Sequence, residues 1–305
     1  MKLYVGVTDL DWFNFLRERE FQEVNFWKPG GNQPFAALQD YELFLFKLHS
    51  PNNFIVGGGF YINFQFLPIS VAWNFFGEAN GTANLQQLRD RRNHYYRGKD
   101  NNPDPLIGCI TLTSPFYFEQ IDWIPVPSNW KPNIVQGRGY STDDQEGKYL
   151  YENIMTKLRR TGIGMPVVSE GERFGLGQII RPRIGQAAFK SLITQAYQKR
   201  CAITGEKTLP VLQAAHIRPF SQNGPHDIKN GLLLRQDVHT LFDLGFITLD
   251  EKLNVIVSNR IKEEYGNGKE YYAFHGKPLA IRPANHIDLP STDFVVWHQN
   301  NVYLG

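Results

Sequence analysis

A chain of 305 residues with 42% apolar, 14% aromatic and 20% charged side chains has material for two domains with separate cores, and its composition excludes a disordered protein. Two cysteines, Cys109 and Cys201, exclude both a disulfide framework and a four-cysteine structural zinc site, and they suit a reducing cytoplasm. The net charge of +2 hides an asymmetry: residues 1–150 carry 13 basic and 16 acidic side chains, whereas 151–220 carry 11 and 4, a basic stretch suited to a polyanionic partner.

The opening KLYVGVT (2–8) alternates, with Leu3, Val5 and Val7 on one face, and Asp9 or Asp11 then caps a short helix carrying Trp12, Phe15 and Leu16. Runs rich in β-branched and aromatic residues predict strands at 42–48, 53–56, 59–65 and 106–112. Helices are predicted at 70–76, with Ser70 as cap and Gly77 as stop, and at 84–97, ending at Gly98. The run Gly57-Gly58-Gly59 lacks the spacing and the following helix of a dinucleotide site, and it reads as a bulge or a close backbone approach. No export signal is visible, and no run of about 18 apolar residues could span a membrane.

These elements give a mostly-β domain over 1–150, α+β in class, followed by a basic, Gly-rich linker over 151–185 and a second domain over 186–305. The second domain starts with a helix at 186–199 carrying Ala187, Phe189, Ile193 and Tyr197. A turn at Thr204-Gly205 then leads into a strand over 209–217, and Cys201 packs that turn.

The chemistry is concentrated between Cys201 and Asp243. His216 ends a strand, Asn230 follows fourteen residues later, and His239 nine residues after that. With Asp237 as N-cap, His239 falls in the first turn of a helix and Asp243 lies at i+4 on the same face, so an imidazole and a carboxylate point at one spot. Such a pair is a two-donor platform for a divalent cation, with Mg, Mn, Co, Ni and Zn all open as its identity. His226, in the intervening GPHD loop, reads as a solvated loop residue or an aid to substrate binding.

The order strand, loop, strand, helix, with AAHI before the loop and NGLLLRQDVHTLFD after it, resembles the HNH (ββα-metal) endonucleases, in the AAHI branch of restriction-type enzymes. The resemblance covers about 184–280. It implies His216 as the general base, Asn230 as the residue that ties the loop and orients His216, and His239 as the third catalytic residue, with His239 and Asp243 as ligands of one metal ion. A phosphodiester is anionic and repels nucleophiles, so an imidazole that activates water and a cation that stabilises the developing charge suit its hydrolysis. One departure is recorded: many such enzymes place a further ligand directly before the base, where this chain has Ala215.

Such a site discriminates little among sequences, so residues 1–150 are expected to supply recognition. Arg89, Arg92 and Tyr96, on one face of LRDRRNHYYRGK, suit phosphates or an opened base, and Trp27, Tyr61 and Trp73 could wall a pocket that stacks a flipped base. The bland alternative is a solvated helix and core aromatics. The segments VGVTDLDWFNFL, VNFWKPGG, IVGGGF and IGCITL are similar to PUA/SRA-like base readers that accompany nuclease domains of this branch. Together the resemblances imply a type IV-like restriction enzyme of phage defence. It would bind double-stranded DNA carrying 5-methyl- or 5-hydroxymethylcytosine and cut it as a homodimer. The alternatives are a nuclease acting on unmodified DNA and an inactive nucleic-acid-binding regulator, the latter favoured by Ala215 alone.

Overall fold

The computed structural model describes residues 1–30, 33–96, 100, 102–161 and 184–305. The chain divides into two units, Met1–Ala188 and Phe189–Gly305. In chain order the first unit contains β1 (Lys2–Thr8), α1 (Leu10–Arg17), β2 (Glu23–Lys28), β3 (Leu43–Leu48), β4 (Phe54–Pro68), α2 (Ile69–Phe76), α3 (Leu85–Tyr95), β5 (Leu106–Tyr117), β6 (Ile124–Pro125), β7 (Gly137–Ser141) and α4 (Gln145–Thr161). Then come α5 (Gln186–Ala196), β8 (Leu212–His216), β9 (Gly231–Arg235), α6 (Gln236–Asp243), β10 (Ile247–Leu249), β11 (Val255–Val257), α7 (Arg260–Tyr265), α8 (Lys269–Tyr272) and α9 (Thr292–Asn301). The class is α+β, with a mostly-strand first unit. No helix among the described residues is long and apolar enough to cross a membrane.

The first unit is built on a sheet of order β2-β5-β4-β3-β1-β7, with β6 added beside β4. All pairings are antiparallel except β1 with β3. Every residue of β3 is buried, because the sheet is covered on both faces. Leu43 and Leu45 join Leu3 and Val5 in one core, while Phe44, Phe46 and Leu48 join Trp12, Phe13 and Leu16 of α1 in the other. The first core is closed by α4, whose Leu150, Ile154 and Leu158 recur every fourth residue and so form one helical stripe.

That stripe corrects the expected linker boundary: residues 151–161 are helical, since burying the stripe outweighs the basic composition that suggested an unstructured segment. The Gly-rich part of that segment, 162–183, lies outside the described residues, as does Gly98, the expected stop of the 84–97 helix. The two strands expected at 53–56 and 59–65 are one, β4, running through the three glycines. A Cβ on Gly57 would collide with the Phe116 carbonyl and one on Gly58 with the Phe44 carbonyl, so the neighbouring strands approach only because these side chains are absent. The register with β5 shifts between Gly58 and Phe60. Ser70 is not the cap of α2; Pro68 holds that position, and Ser70 binds the Asp104 carboxylate through its backbone N–H and hydroxyl.

In the second unit, β8 and β9 form a hairpin that pairs His216 with Gly231, and α6 continues directly from β9. Pro210 sits in a short 3-10 turn over Leu209–Val211, so the strand begins at Leu212 rather than 209. The helix expected to reach 199 ends at Ala196, where Gln198 and Lys199 adopt positive φ.

Candidate active site and aromatic cavity

The β8–β9–α6 unit brings His216 near His239, which meets Asp243, and buries Asn230 at the start of β9. Asn230 is fully buried, and its amide saturates three backbone partners across the loop. Its Oδ1 accepts from Arg218 N at 2.8 Å, and its Nδ2 donates to Arg218 O and Pro225 O, both at 2.9 Å. The loop after His216 is therefore folded back on the start of β9. Gly224 has no room for a Cβ against the Arg218 carbonyl, which fixes the same turn from the other side.

His216 is half-buried. Its ring stacks on Phe189, with centroids 4.0 Å apart and planes 8° from parallel, and its Nε2 lies 2.9 Å from His226 Nδ1. Gly231 opposite lacks the Cβ that would strike Phe189 and Ile193, so the ring beneath His216 can pack flat. Burial, together with the nearby His226 and His239, lowers the His216 pKa to about 4, which keeps the imidazole neutral and able to accept a proton. Burial also lowers that of His226. The sequence reading set His226 aside as solvated; the GPHD turn gave no sign that its ring folds back onto His216.

His239 sits in the first turn of α6. Its Nδ1 is 2.8 Å from Gln213 Oε1 and its Nε2 is 3.2 Å from Asp243 Oδ2. Asp237 is not the cap of that helix: Arg235 occupies the N-cap position, and the Asp237 carboxylate pairs with the Arg235 guanidinium at 2.7 Å. The carboxylate also takes the Val238 backbone N–H, from inside the first turn rather than from the cap position. Cys201 is buried in the turn, its Sγ accepting from Thr204 N and Arg235 N.

Residues 201–250 match a family model described as HNH endonuclease. This segment is an HNH endonuclease domain. No curated protein matches the chain. Among solved structures, the chain is similar to ASCH from Zymomonas mobilis, at 12% identity and TM-score 0.32 over 49% of this chain and 94% of that one. It is also similar to the modification-dependent TagI restriction endonuclease, at 14% identity and TM-score 0.30 over 93% of this chain and 77% of that one.

HNH endonucleases generally use a divalent ion, and the donors of the HNH domain can be tested against one. Among the described residues no group of three His, Cys, Asp or Glu side chains is placed to hold a metal, in keeping with Ala215. The remaining pair fits nonetheless. With the Nδ1 proton of His239 given to Gln213 Oε1, the Nε2 lone pair faces a carboxylate oxygen, an arrangement of two acceptors that a proton or a metal cation can bridge. His239 and Asp243 are thus a fitting two-donor platform, with the other positions left to water and phosphate oxygens.

The aromatic residues singled out in the first unit divide. A cavity of about 280 Å³ is walled by Trp12, Trp27, Tyr4, Phe26, Phe35 and Tyr95, at the small end of ligand pockets and sized for one planar ring system. Trp27 is therefore a wall. Tyr61 is not: it is buried in the core against Phe35, and burial pushes its pKa up to about 12. Trp73 is half-buried on α2, away from the cavity lining.

The basic helix is corrected likewise. Arg92 is 3% exposed, donates to Pro29 O and Asp100, and stacks on the ring of the half-buried Tyr96 at 3.9 Å, so Arg92 is committed inside the fold. Arg89 buries its Nε. Arg92 lies four residues after the fully buried Leu88, so it shares the inward face, whereas Arg91 and Tyr95 share the face that lines the cavity. The polar side of the cavity is Asp9, whose Oδ2 accepts from Tyr95 O–H at 2.7 Å and whose Oδ1 faces His49 Nε2 at 3.5 Å. Trp12 and Trp27 both donate their indole N–H to Asn80 O, at 3.1 and 3.0 Å. Asn80 is itself fully buried, bonded through its side chain to Asn25, Ala72 and Gly77. The sequence reading did not connect Asp9 and Trp12 with Tyr95, more than eighty residues further along the chain, or with this cavity.

Proposed function

We propose that this protein is a modification-dependent DNA endonuclease. The hydrolytic half rests on one observation: within the HNH segment, His216 lies near the pair His239–Asp243, and the fully buried Asn230 ties the loop that follows His216. His216 takes a proton from the attacking water, the water oxygen bonds to phosphorus, and the bond from phosphorus to the leaving sugar oxygen breaks. A divalent cation at His239 and Asp243 supplies, when bound, stabilisation of the negative charge on the phosphate and the leaving oxygen. Asn230 holds the loop that carries His216, and the leaving oxygen takes its proton from solvent.

The recognition half is supported by the cavity in the first unit. Two anchored indoles and four other aromatic rings offer π-faces to one base, and the Asp9 carboxylate offers acceptors to its edge. Of the substrates such a pocket could take, a modified cytosine turned out of a duplex is the one we propose, with two copies of the protein cutting one strand each.

The test is incubation of the purified chain with methylated, hydroxymethylated and unmodified duplexes in the presence of Mg²⁺, Mn²⁺, Co²⁺, Ni²⁺ or Zn²⁺. Cutting confined to modified duplexes is expected. Equal cutting of all three removes the modified-base reading and leaves the nuclease, and no cutting with any metal removes both.

A further inference from the structure

One histidine of the HNH domain has no part in the hydrolytic scheme. His226 lies in the loop between β8 and β9, with its Nδ1 2.9 Å from His216 Nε2. Four rings make a continuous ladder: Phe189 on His216 at 4.0 Å, His216 to His226 at 5.0 Å, and His226 on Phe220 at 4.6 Å with planes 10° apart. The backbone on both sides of His226 is pinned, by Asn230 Nδ2 on Pro225 O and by the Asp227 carboxylate on Lys229 N. The imidazole is therefore held in place by stacking and by its loop.

A hydrogen bond between two neutral imidazoles contains one proton and has a direction. Were His226 to donate from Nδ1, His216 would accept at Nε2 and carry its own proton on Nδ1, leaving no basic nitrogen for water. With His216 donating from Nε2, His226 accepts at Nδ1 and His216 Nδ1 is bare. Burial lowers the pKa of both rings, so the bond is between neutral partners.

The geometry points to His226 as a positioning residue that accepts the Nε2 proton of His216 and so leaves His216 Nδ1 free to take the proton of the attacking water. This role rests on the nuclease reading above. When His216 becomes an imidazolium, the same bond continues to hold its Nε2–H, and no proton has to pass to His226.

Two measurements on the full chain decide the matter. In protein labelled with ¹⁵N-histidine, the ring nitrogen shifts of His216 report which nitrogen carries the proton. Protonation on Nε2 is expected in the wild type and a mixture of tautomers in His226→Leu. Single-turnover cleavage of a methylated or hydroxymethylated duplex with Mn²⁺ is expected to slow roughly ten- to hundredfold in His226→Leu, the usual cost of removing a partner that orients a functional histidine, with half-saturating DNA unchanged. His226→Asn, whose amide oxygen offers an acceptor near the place of Nδ1, should recover to within about threefold of wild type, which a merely structural defect would not do. His216 protonated on Nδ1 in the wild type, or His226→Leu cleaving at the wild-type rate, overturns the proposal. Wild-type protein that cuts no DNA with any metal overturns the nuclease reading instead, and the ring shifts still decide the direction of the bond.

Discussion

Gln213 on β8 and His239 on α6 meet through a 2.8 Å contact between Oε1 and Nδ1, and this contact decides which way the histidine can be used. It keeps the proton on Nδ1 and turns the other nitrogen toward Asp243, 3.2 Å away. Replacing Gln213 with Leu frees the tautomer without touching either donor. Mn²⁺ affinity, measured by calorimetry, is expected to fall roughly ten- to hundredfold. Asp243→Ala should weaken it further, and an unchanged affinity in both variants would detach the metal from this pair.

His216→Ala removes the group that takes the water proton. Cleavage should fall by about 10²–10⁴, the range for a general base, while DNA retention in a gel-shift assay stays at the wild-type level. A variant that keeps turning over would place the base elsewhere.

The pH response has a defined sign. His216 has its pKa lowered to about 4, so it stays neutral through pH 5–6, where an ordinary imidazole is largely protonated; cleavage should persist in that window. Stability moves the other way. His298 is 2% exposed, donates to Phe242 O, accepts from Thr248 Oγ1, and has its pKa lowered to about 4 by burial. Since the unfolded chain binds that proton near pH 6.5 and the folded chain does not, stability is full above about 6.5 and declines as pH falls toward 4. The loss for His298 alone is about 3 kcal/mol. Urea titrations at pH 7 and pH 4.5 measure it, and equal midpoints would contradict it.

Asn230→Ala strips three hydrogen bonds from a fully buried position and leaves the Arg218 and Pro225 backbone groups without their partner. A destabilisation of about 2–4 kcal/mol is expected in thermal or urea unfolding, together with loss of cleavage. Asn230→Asp retains the acceptor toward Arg218 N but not the donors, and should fall between the two.

In the first unit, Trp27→Ala opens one wall of the cavity, and Arg92→Ala removes a buried guanidinium with its contacts to Pro29 O and the exposed Asp100. The first should lower affinity for modified duplexes by about 1–3 kcal/mol, the cost of a lost base-stacking ring, with little change in melting temperature. The second should lower the melting temperature without selective loss of modified-base binding, because it empties a buried position and leaves the Pro29 carbonyl without its donor. Fluorescence anisotropy and differential scanning calorimetry separate the two outcomes.

The HNH segment was legible because its signal is local: a strand, a turn and one helical turn carry His216, Asn230, His239 and Asp243 within 28 residues of chain. What lay beyond local spacing was harder to see. The contact of His226 with His216 depends on how a loop folds back, and Asp237 pairs with Arg235 from inside the first turn rather than from the cap position. The cavity gathers Tyr4, Asp9, Trp27, Tyr95 and Gln136 from across the sheet, a product of strand order that periodicity does not encode. Arg92 shows the limit most clearly: a helical face rich in arginine can point inward when Leu88 shares it.

Because a single peptide oxygen, that of Asn80, receives the N–H of both Trp12 and Trp27, the two tryptophan walls are registered to one fixed point rather than to each other. Either indole can therefore be exchanged while its counterpart keeps its place, which lets the size of the opening drift in small steps during evolution or in a laboratory library. The pivot itself has no such freedom: Gly81 beside it adopts φ +82 and has no space for a Cβ against the Trp12 ring. Retuning what the chamber accepts should thus succeed at its panels and fail at their common hinge.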